Sequence, residues 1–489
     1  LKIRCPRGRV GSIPTFGIFF TGPVEKRALF ASFASKIPRV AENRPWYRWV
    51  SRESRRTTME QRNWTVWGVA ELSCWILHRP ERWTTGHDAE DCIDAHLAMG
   101  INHIAWDLGR SVLQYHSDLP DATCYGVGRH YDEFYPQASA QYKADMQACH
   151  DRCQLRVALM YGKEKGCTIY GRLCMNRHYH PGSSGKSRFS LLHPEWHEIG
   201  KDGWLDTSRM CYAIPAYRRE RIAILKEAAE IGVDGLMLDF VRQPPALRYH
   251  PALVNRYREL TGKDARSLDS FAKAEVLDWC RFRADYVTDL LKELKTALDP
   301  FRHKWGKRVP VQVRIPNDGF EANMIAGFDV LTWFEEGLVD ELSLSELHWL
   351  PGYTDWDDKP YIALGKQHGI PVFGSSNCLP MQRGGWGGKI NPFGINPLVL
   401  ARRVLKSMED GADGTCLYQS DTGAFLPGVS EAIAAFGSEE MLRQYVNDSA
   451  IIAANPVTEQ NREYGIDNHS DTRENLAKRI EASSDAAWL

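Results

Sequence analysis

Two acidic residues, Asp239 and Glu346, are placed where chemistry is expected. Asp239 closes the short apolar run Gly235-Leu236-Met237-Leu238 and is followed by Arg242 and two prolines, Pro244 and Pro245. Glu346 lies between Ser345 and Leu347, beside His348 and Trp349. A carboxylate at the end of a buried strand costs too much desolvation to be filler unless it is paired or working. Two carboxyl groups on non-adjacent strands suit cleavage of a glycosidic bond, where one protonates the leaving oxygen and the other attacks or activates water. On this reading Arg242 and Arg314 keep Asp239 ionised. The apolar neighbours of Glu346 raise its pKa, as a general acid requires. The competing reading makes Asp239 half of a structural ion pair with Arg242 or Arg314.

A third group, His193 in Leu192-His193-Pro194-Glu195-Trp196, is a neutral-pH base able to activate water. Its plainer reading is a cap on a helix that starts at Pro194. Asp107 either contacts a sugar hydroxyl or pairs with Arg110. Further substrate contacts are expected from Arg188, Trp204, His348, Trp349, Asn377 and Trp386. Trp386 sits in Gly384-Gly385-Trp386-Gly387-Gly388, which reads as a lid, a sugar platform or a plain flexible loop. That segment has no Lys-Ser/Thr ending, so it is not a phosphate loop. Cys149, Cys153, Cys167 and Cys174 lie near His178, His180, His193 and His197 in the sequence. They lack the tight Cys-x2-Cys pairs of zinc sites, and no metal or cofactor is expected.

Such residues need elements to aim them. Short apolar runs at 64–72, 101–107, 155–161, 235–240, 309–315, 341–345, 371–375 and 415–418 read as strands. Amphipathic stretches at 89–99, 138–153, 217–231, 272–298, 356–368 and 397–410 read as helices between them. Eight β/α alternations predict a (β/α)8 TIM barrel with long loops after strands 3 and 4. Glycines at 100, 232, 337, 369 and 411 precede strands and read as helix C-caps. The barrel rule then gathers the strand-end groups into one mouth. These groups are Glu71, Asp107, Arg110, Tyr161, Asp239, Arg242, Arg314, Asn317, Ser345, Glu346, His348, Ser376, Asn377, Gln419 and Asp421.

Composition limits the alternatives. The 61 basic and 62 acidic residues nearly cancel, which disfavours nucleic acid or an anionic membrane as partner. No run reaches the roughly 18 apolar residues of a membrane span. The 16 Trp and 19 Tyr suit sugar rings, although large proteins also bury such side chains for packing. Twelve scattered cysteines read as free thiols in a reducing, cytoplasmic setting. Residues 1–58 are rich in Arg and Ser without periodicity and read as a disordered or non-native extension. The catalytic barrel is expected over 59–436, with a helix and polar tail over 437–489.

The motifs His193-Pro194-Glu195-Trp196, Trp204-Leu205-Asp206, Tyr217-Arg218-Arg219 and Val233-Asp234-Gly235-Leu236-Met237-Leu238-Asp239-Phe240-Val241-Arg242 follow one another along the chain. Phe328-Asp329-Val330-Leu331-Thr332-Trp333 and Glu336-Gly337-Leu338-Val339-Asp340 come next. In this order they resemble the glycosyl-hydrolase-like, family 10-like TIM-barrel proteins of bacteria, over residues 63 to 430. The resemblance implies a (β/α)8 barrel, glycan hydrolysis and a catalytic or substrate-binding role for Asp239. More remotely, Arg188 and His193, five residues apart, are similar to a pair in an inverting barrel-fold sialidase family. That likeness implies that Arg188 grips a sugar carboxylate and His193 serves water activation. The leading expectation is a glycoside hydrolase acting on an oligosaccharide or glycoconjugate. An exo-hydrolase for acidic sugars and a non-catalytic sugar-binding barrel are the alternatives.

Overall fold

Eight parallel strands close on themselves in the computed structural model, which describes residues 64–78, 86–124, 151–176, 186–241, 245–268, 272–306, 308–345, 357–377, 396–426 and 428–455, with isolated helical positions between 140 and 147. In chain order the strands are β1 (Thr65–Ala70), β2 (His103–Gly109), β3 (Thr168–Cys174), β4 (His197–Ile199), β5 (Leu205–Met210), β6 (Gly235–Asp239), β7 (Val311–Pro316), β8 (Glu341–Ser345), β9 (Val372–Asn377) and β10 (Gly414–Tyr418). The barrel runs β1-β10-β9-β8-β7-β6-β3-β2, and β4 and β5 form a separate antiparallel pair. This is the (β/α)8 TIM barrel that the sequence predicts. The expected extension over 1–58 lies outside the described residues. No described helix is long and apolar enough to cross a membrane.

One predicted strand is a helix. Residues 155–161 belong to the helix Gln154–Glu164, whose buried positions are Gln154, Leu155, Ala158 and Gly162 while Met160 is exposed. That spacing follows a helical face and not an alternating strand. The third barrel strand is β3, Thr-Ile-Tyr-Gly-Arg-Leu-Cys, buried along nearly its whole length. Tyr161 is therefore a helix residue, and its hydroxyl donates to Asp94 at 2.9 Å. The long loop expected after the third strand begins at Met175, and β4 and β5 lie within it.

The predicted glycine caps all take positive φ, from 59° at Gly337 to 114° at Gly232, a conformation open to glycine at little steric cost. After three of them an aspartate pins the next strand to its neighbour. Asp234 donates its N–H to the Ile169 carbonyl at 2.8 Å, and its Oδ2 accepts the Ile169 N–H at 2.8 Å. Asp340 does the same with Val311, at 2.8 Å in both directions. Asp413 repeats it with Val372, at 2.9 Å in both directions.

Inside the barrel, Trp67, Val69, Ala105, Tyr170, Met237, Phe373, Cys416 and Tyr418 form a buried cluster. Trp67 packs on Tyr170 with ring centroids 4.5 Å apart, an aromatic filling that makes the barrel a packed core and not a pore. The Tyr170 ring also explains Gly235. A Cβ at that position would lie 2.4 Å from the ring.

Candidate active site

The carboxyl ends of five adjacent strands carry one hydrogen-bonded row of side chains. Asp107 comes from β2, Arg172 from β3, Asp239 from β6, Arg314 from β7 and Ser345 from β8. The Arg172 Nη1 donates to Asp107 Oδ1 at 2.5 Å. Its Nε and Nη2 both donate to Asp239 Oδ2, at 2.8 and 2.5 Å. Arg314 Nη1 reaches both oxygens of Asp239, at 3.1 and 3.0 Å, and its Nη2 donates to Ser345 Oγ at 2.5 Å. The Val241 N–H adds a bond to Asp239 Oδ1 at 3.1 Å. Tyr418, ending β10, lies beneath both guanidiniums, its ring centre 4.5 Å from Arg314 Cζ and 5.4 Å from Arg172 Cζ.

A second branch continues past Asp107. Gln114 Nε2 donates to Asp107 Oδ2 at 2.7 Å and to Glu71 Oε1 at 3.3 Å. Glu71 follows β1 directly and also accepts from Arg110 Nη2 at 3.1 Å and Ser73 Oγ at 3.0 Å. The Glu71 N–H lies 3.4 Å from Asp421 Oδ2, beyond β10. The side chains of Asp107, Arg172 and Asp239 are 0% exposed, whereas Arg110 and Glu71 retain 7% and 11%. The network is least buried towards Gln114, Glu71 and Arg110.

The two central carboxyls are driven in opposite directions. Burial alone would raise Asp239, but Arg314 and Arg172 overcome it and hold the group well below the usual carboxylate range. For Asp107, burial wins. With the charges of Glu71 and Asp239 assisting and those of Arg172 and Arg110 opposing, its pKa is pushed up to about 7. Burial, helped by the Glu71 charge, also raises Asp421 well above its ordinary value.

The predicted site residues divide into four groups. Asp239, Arg314 and Asp107 come together in the row. Asn377 ends β9 opposite Tyr418 of β10. Arg188, His193 and Trp204 belong to the excursion between β3 and β6 and have partners outside the row. Arg188 pairs with Asp121 at 3.5 Å. His193 stacks on Trp196 with ring centroids 3.6 Å apart and planes 3° apart, and lies 3.4 Å from Glu195 Oε1. It joins the helix Arg188–Leu192 to the turn Pro194–Trp196 and makes no side-chain cap hydrogen bond. Trp204 lies 5.5 Å from the Arg248 guanidinium. Glu346, Arg242, His348, Trp349 and Trp386 lie outside the described residues.

Arg172 and Gln114 are the partners that sequence reading missed. Arg172 was hidden by the misplaced third strand. With β3 at its true position, Tyr170, Arg172 and Cys174 alternate along one face, and an arginine beside Leu173 is the polar exception. Gln114 lies after a turn and has no periodic signal.

Several solved structures align with this chain, each with a TM-score below 0.5. The α-L-fucosidase isoenzyme 2 from Paenibacillus thiaminolyticus aligns with a TM-score of 0.47 at 14% identity, covering 79% of this chain and 50% of that one. A β-galactosidase from the psychrophilic Marinomonas ef1 aligns at 0.45 and 12% identity, covering 76% and 59%. The trehalose-6-phosphate hydrolase of Bacillus licheniformis aligns at 0.37 and 14% identity, covering 74% and 65%. The chain thus spans between half and two thirds of the length of these proteins. No protein-family model matches the chain. No curated protein matches it either, so the family resemblance rests on the sequence motifs alone. Among the described residues no group of His, Cys, Asp and Glu is arranged to hold a metal ion.

Proposed function

We propose that this protein hydrolyses a glycosidic bond of an oligosaccharide or glycoconjugate at the carboxyl-end mouth of its barrel. The observation that carries the reading is the row Asp107–Arg172–Asp239–Arg314. It holds the Asp239 carboxylate firmly ionised at the end of β6, two strands from β8, whose last residue Ser345 directly precedes Glu346. One ionised carboxylate and one proton-donating carboxyl are what acid–base cleavage of an acetal uses. Asp239 supplies the fixed negative charge against the positive charge that develops on the sugar ring. Glu346, one residue beyond the Ser345 that holds Arg314, is the proton donor on this reading.

A second reading narrows the substrate to an acidic sugar. Arg110, Arg172 and Arg314 each already face an acidic partner, Glu71 for the first and Asp107 and Asp239 for the others, so the row brings no surplus positive charge to attract an anionic substrate. Arg188 is likewise paired, with Asp121, and this reading rests on the remote sialidase likeness of Arg188 and His193.

A panel of chromogenic glycosides, neutral and acidic, tests both readings. Asp239→Asn and Glu346→Gln are expected to lose turnover while retaining sugar binding. Undiminished turnover in both variants overturns the assignment. Binding without turnover in the unmodified protein leaves a silent sugar-binding barrel.

A further inference from the structure

The chain leaves β10 and enters the helix Ser420–Gly423 through Tyr418-Gln419-Ser420-Asp421. Three of these four side chains have partners inside the protein. Tyr418 lies against Arg172 and Arg314. Ser420 Oγ is 2.8 Å from His96 Nε2 and 3.1 Å from the Val69 carbonyl. Asp421 Oδ2 is 3.4 Å from the Glu71 backbone nitrogen. The Gln419 amide is the exception. Its residue is only 7% exposed, yet it makes no hydrogen bond among the described residues.

The backbone at Gln419 is left-handed, with φ 56° and ψ 44°. Among the described residues only Cys153 is a second non-glycine with positive φ. The turn accounts for this backbone but not for the side chain on it. The Gln419 carbonyl accepts the Gly423 N–H at 3.1 Å, and the contacts of Ser420 fix the next residue. Gly68 leaves room for them, since a Cβ there would lie 2.7 Å from Ser420 Oγ. A glycine would take the same conformation with little strain. Such strain persists where the surroundings over-determine it, and it clusters at ligand sites.

We propose that the Gln419 amide is a substrate-binding group of this mouth and holds two neighbouring hydroxyls of a neutral sugar. The inference deepens the hydrolytic reading and rests on it for the place where the sugar stands.

Strand order supports the placement. β10 stands four strands from β6 in either direction round the closed ring, so Gln419 and Asp239 come from opposite walls of the mouth. An amide carries an acceptor oxygen and an NH2 donor. It can therefore accept the proton of one hydroxyl and donate to the oxygen of its neighbour. Charge argues for a neutral ring. Arg110, Arg172 and Arg314 each already face an acidic partner, which leaves these three without a call on a sugar carboxylate. An uncharged amide matches an uncharged diol.

Calorimetric binding and turnover by the full chain test this with 4-nitrophenyl glycosides of neutral hexoses, their single-deoxy analogues and a glucuronide. Gln419→Met and Gln419→Gly are expected to weaken Kd, or to lower kcat/KM where the glycoside is cleaved, by about 10- to 100-fold, the worth of two neutral hydrogen bonds. On a deoxy analogue lacking one of the two hydroxyls the same substitutions should lose markedly less, because one partner is already gone. Equal losses on the parent glycoside and every deoxy analogue overturn the proposal. So do unchanged constants, a panel in which nothing binds, and a loss confined to the glucuronide.

Gln419→Gly also separates a ligand role from a structural one. It relieves the left-handed strain, so its urea midpoint is expected to hold or rise while its sugar affinity falls. A lower midpoint shows that the amide serves the fold, and overturns the proposal. Sugar binding that depends on Gln419 in a protein that cleaves no glycoside sinks the hydrolase reading and leaves this site standing. Cleavage that Gln419→Met leaves untouched does the reverse.

Discussion

Arg172 commits two of its nitrogens to a single oxygen of Asp239, at 2.8 and 2.5 Å. Arg314 approaches the same carboxylate from the next strand. Asp239 is therefore a buried anion enclosed by two cations, and its removal leaves both without a counter-charge. Breaking a buried pair by deleting one partner costs about 3–5 kcal/mol. Asp239→Ala is expected to lose that much in urea denaturation. Arg314→Met should lose less, because Arg172 still holds the carboxylate. Equal losses in the two variants would show that Arg172 alone does not hold the carboxylate.

The pH dependence of stability separates the two carboxyls. Asp107 has a folded pKa of about 7, above the roughly 3.9 of an unfolded aspartate. Its contribution is therefore fully present below about pH 4 and is lost as pH rises through about 7. Asp239, depressed by its arginines, has the opposite sign, and its stabilisation disappears as pH falls below the usual carboxylate range. Relative to the unmodified protein, Asp107→Asn should gain about 1–4 kcal/mol between pH 4 and 7. Parallel stability curves would contradict the elevated pKa.

Gly235 and Tyr170 should behave as a coupled pair. Gly235→Ala drives a methyl into the Tyr170 ring, and such overpacking costs about 1–3 kcal/mol. In the Tyr170→Leu background the same change should cost clearly less, giving a non-additive double-mutant cycle in thermal or chemical denaturation. Additive losses would mean that the ring does not exclude the side chain.

The aspartates beneath the barrel should matter for stability and not for turnover. Asp340→Ala removes one hydrogen bond to the Val311 N–H, worth about 1 kcal/mol. Asp413→Ala should lose a similar amount through Val372. Both are expected to leave kcat on any cleaved glycoside unaltered. A large fall in kcat at unchanged stability would indicate that these positions reach the mouth.

Seven of the eight barrel strands were legible in the sequence as short apolar runs, five of them after a glycine cap. Asp239 was legible because it ends one of them. The third strand was not. Its segment interrupts apolar residues with Gly171 and Arg172, while the preceding helix offers the more continuous run 155–161. Without that strand, the guanidinium linking Asp107 to Asp239 had no address. Asp239 was expected to be held by Arg242 and Arg314. Arg314 does hold it, with Arg172 as the second cation, and Arg242 lies outside the described residues. Glu71 and Asp107 were visible as strand-end acids, but their connection needs Gln114, a turn residue whose importance lies in contacts far apart in the chain. His193 and Arg188 drew attention by type and spacing. Their partners, Trp196 within the excursion and Asp121 between β2 and β3, are known only from the folded chain.

The three pinning aspartates also act as a ruler. Asp234, Asp340 and Asp413 each stand five residues before a group in the mouth, Asp239, Ser345 and Tyr418 respectively. Each pin engages its neighbouring strand through both N–H and carboxylate, so a one-residue slip would forfeit two bonds at the foot and turn the top side chain to the opposite face. The height at which Asp239 meets Arg172, across β6 and β3, and Arg314 meets Ser345, across β7 and β8, is thus gauged from the far end of the barrel. A deletion or insertion within these strands would misalign the mouth even if every residue in it were kept, whereas length changes in the loops above would leave the gauge intact.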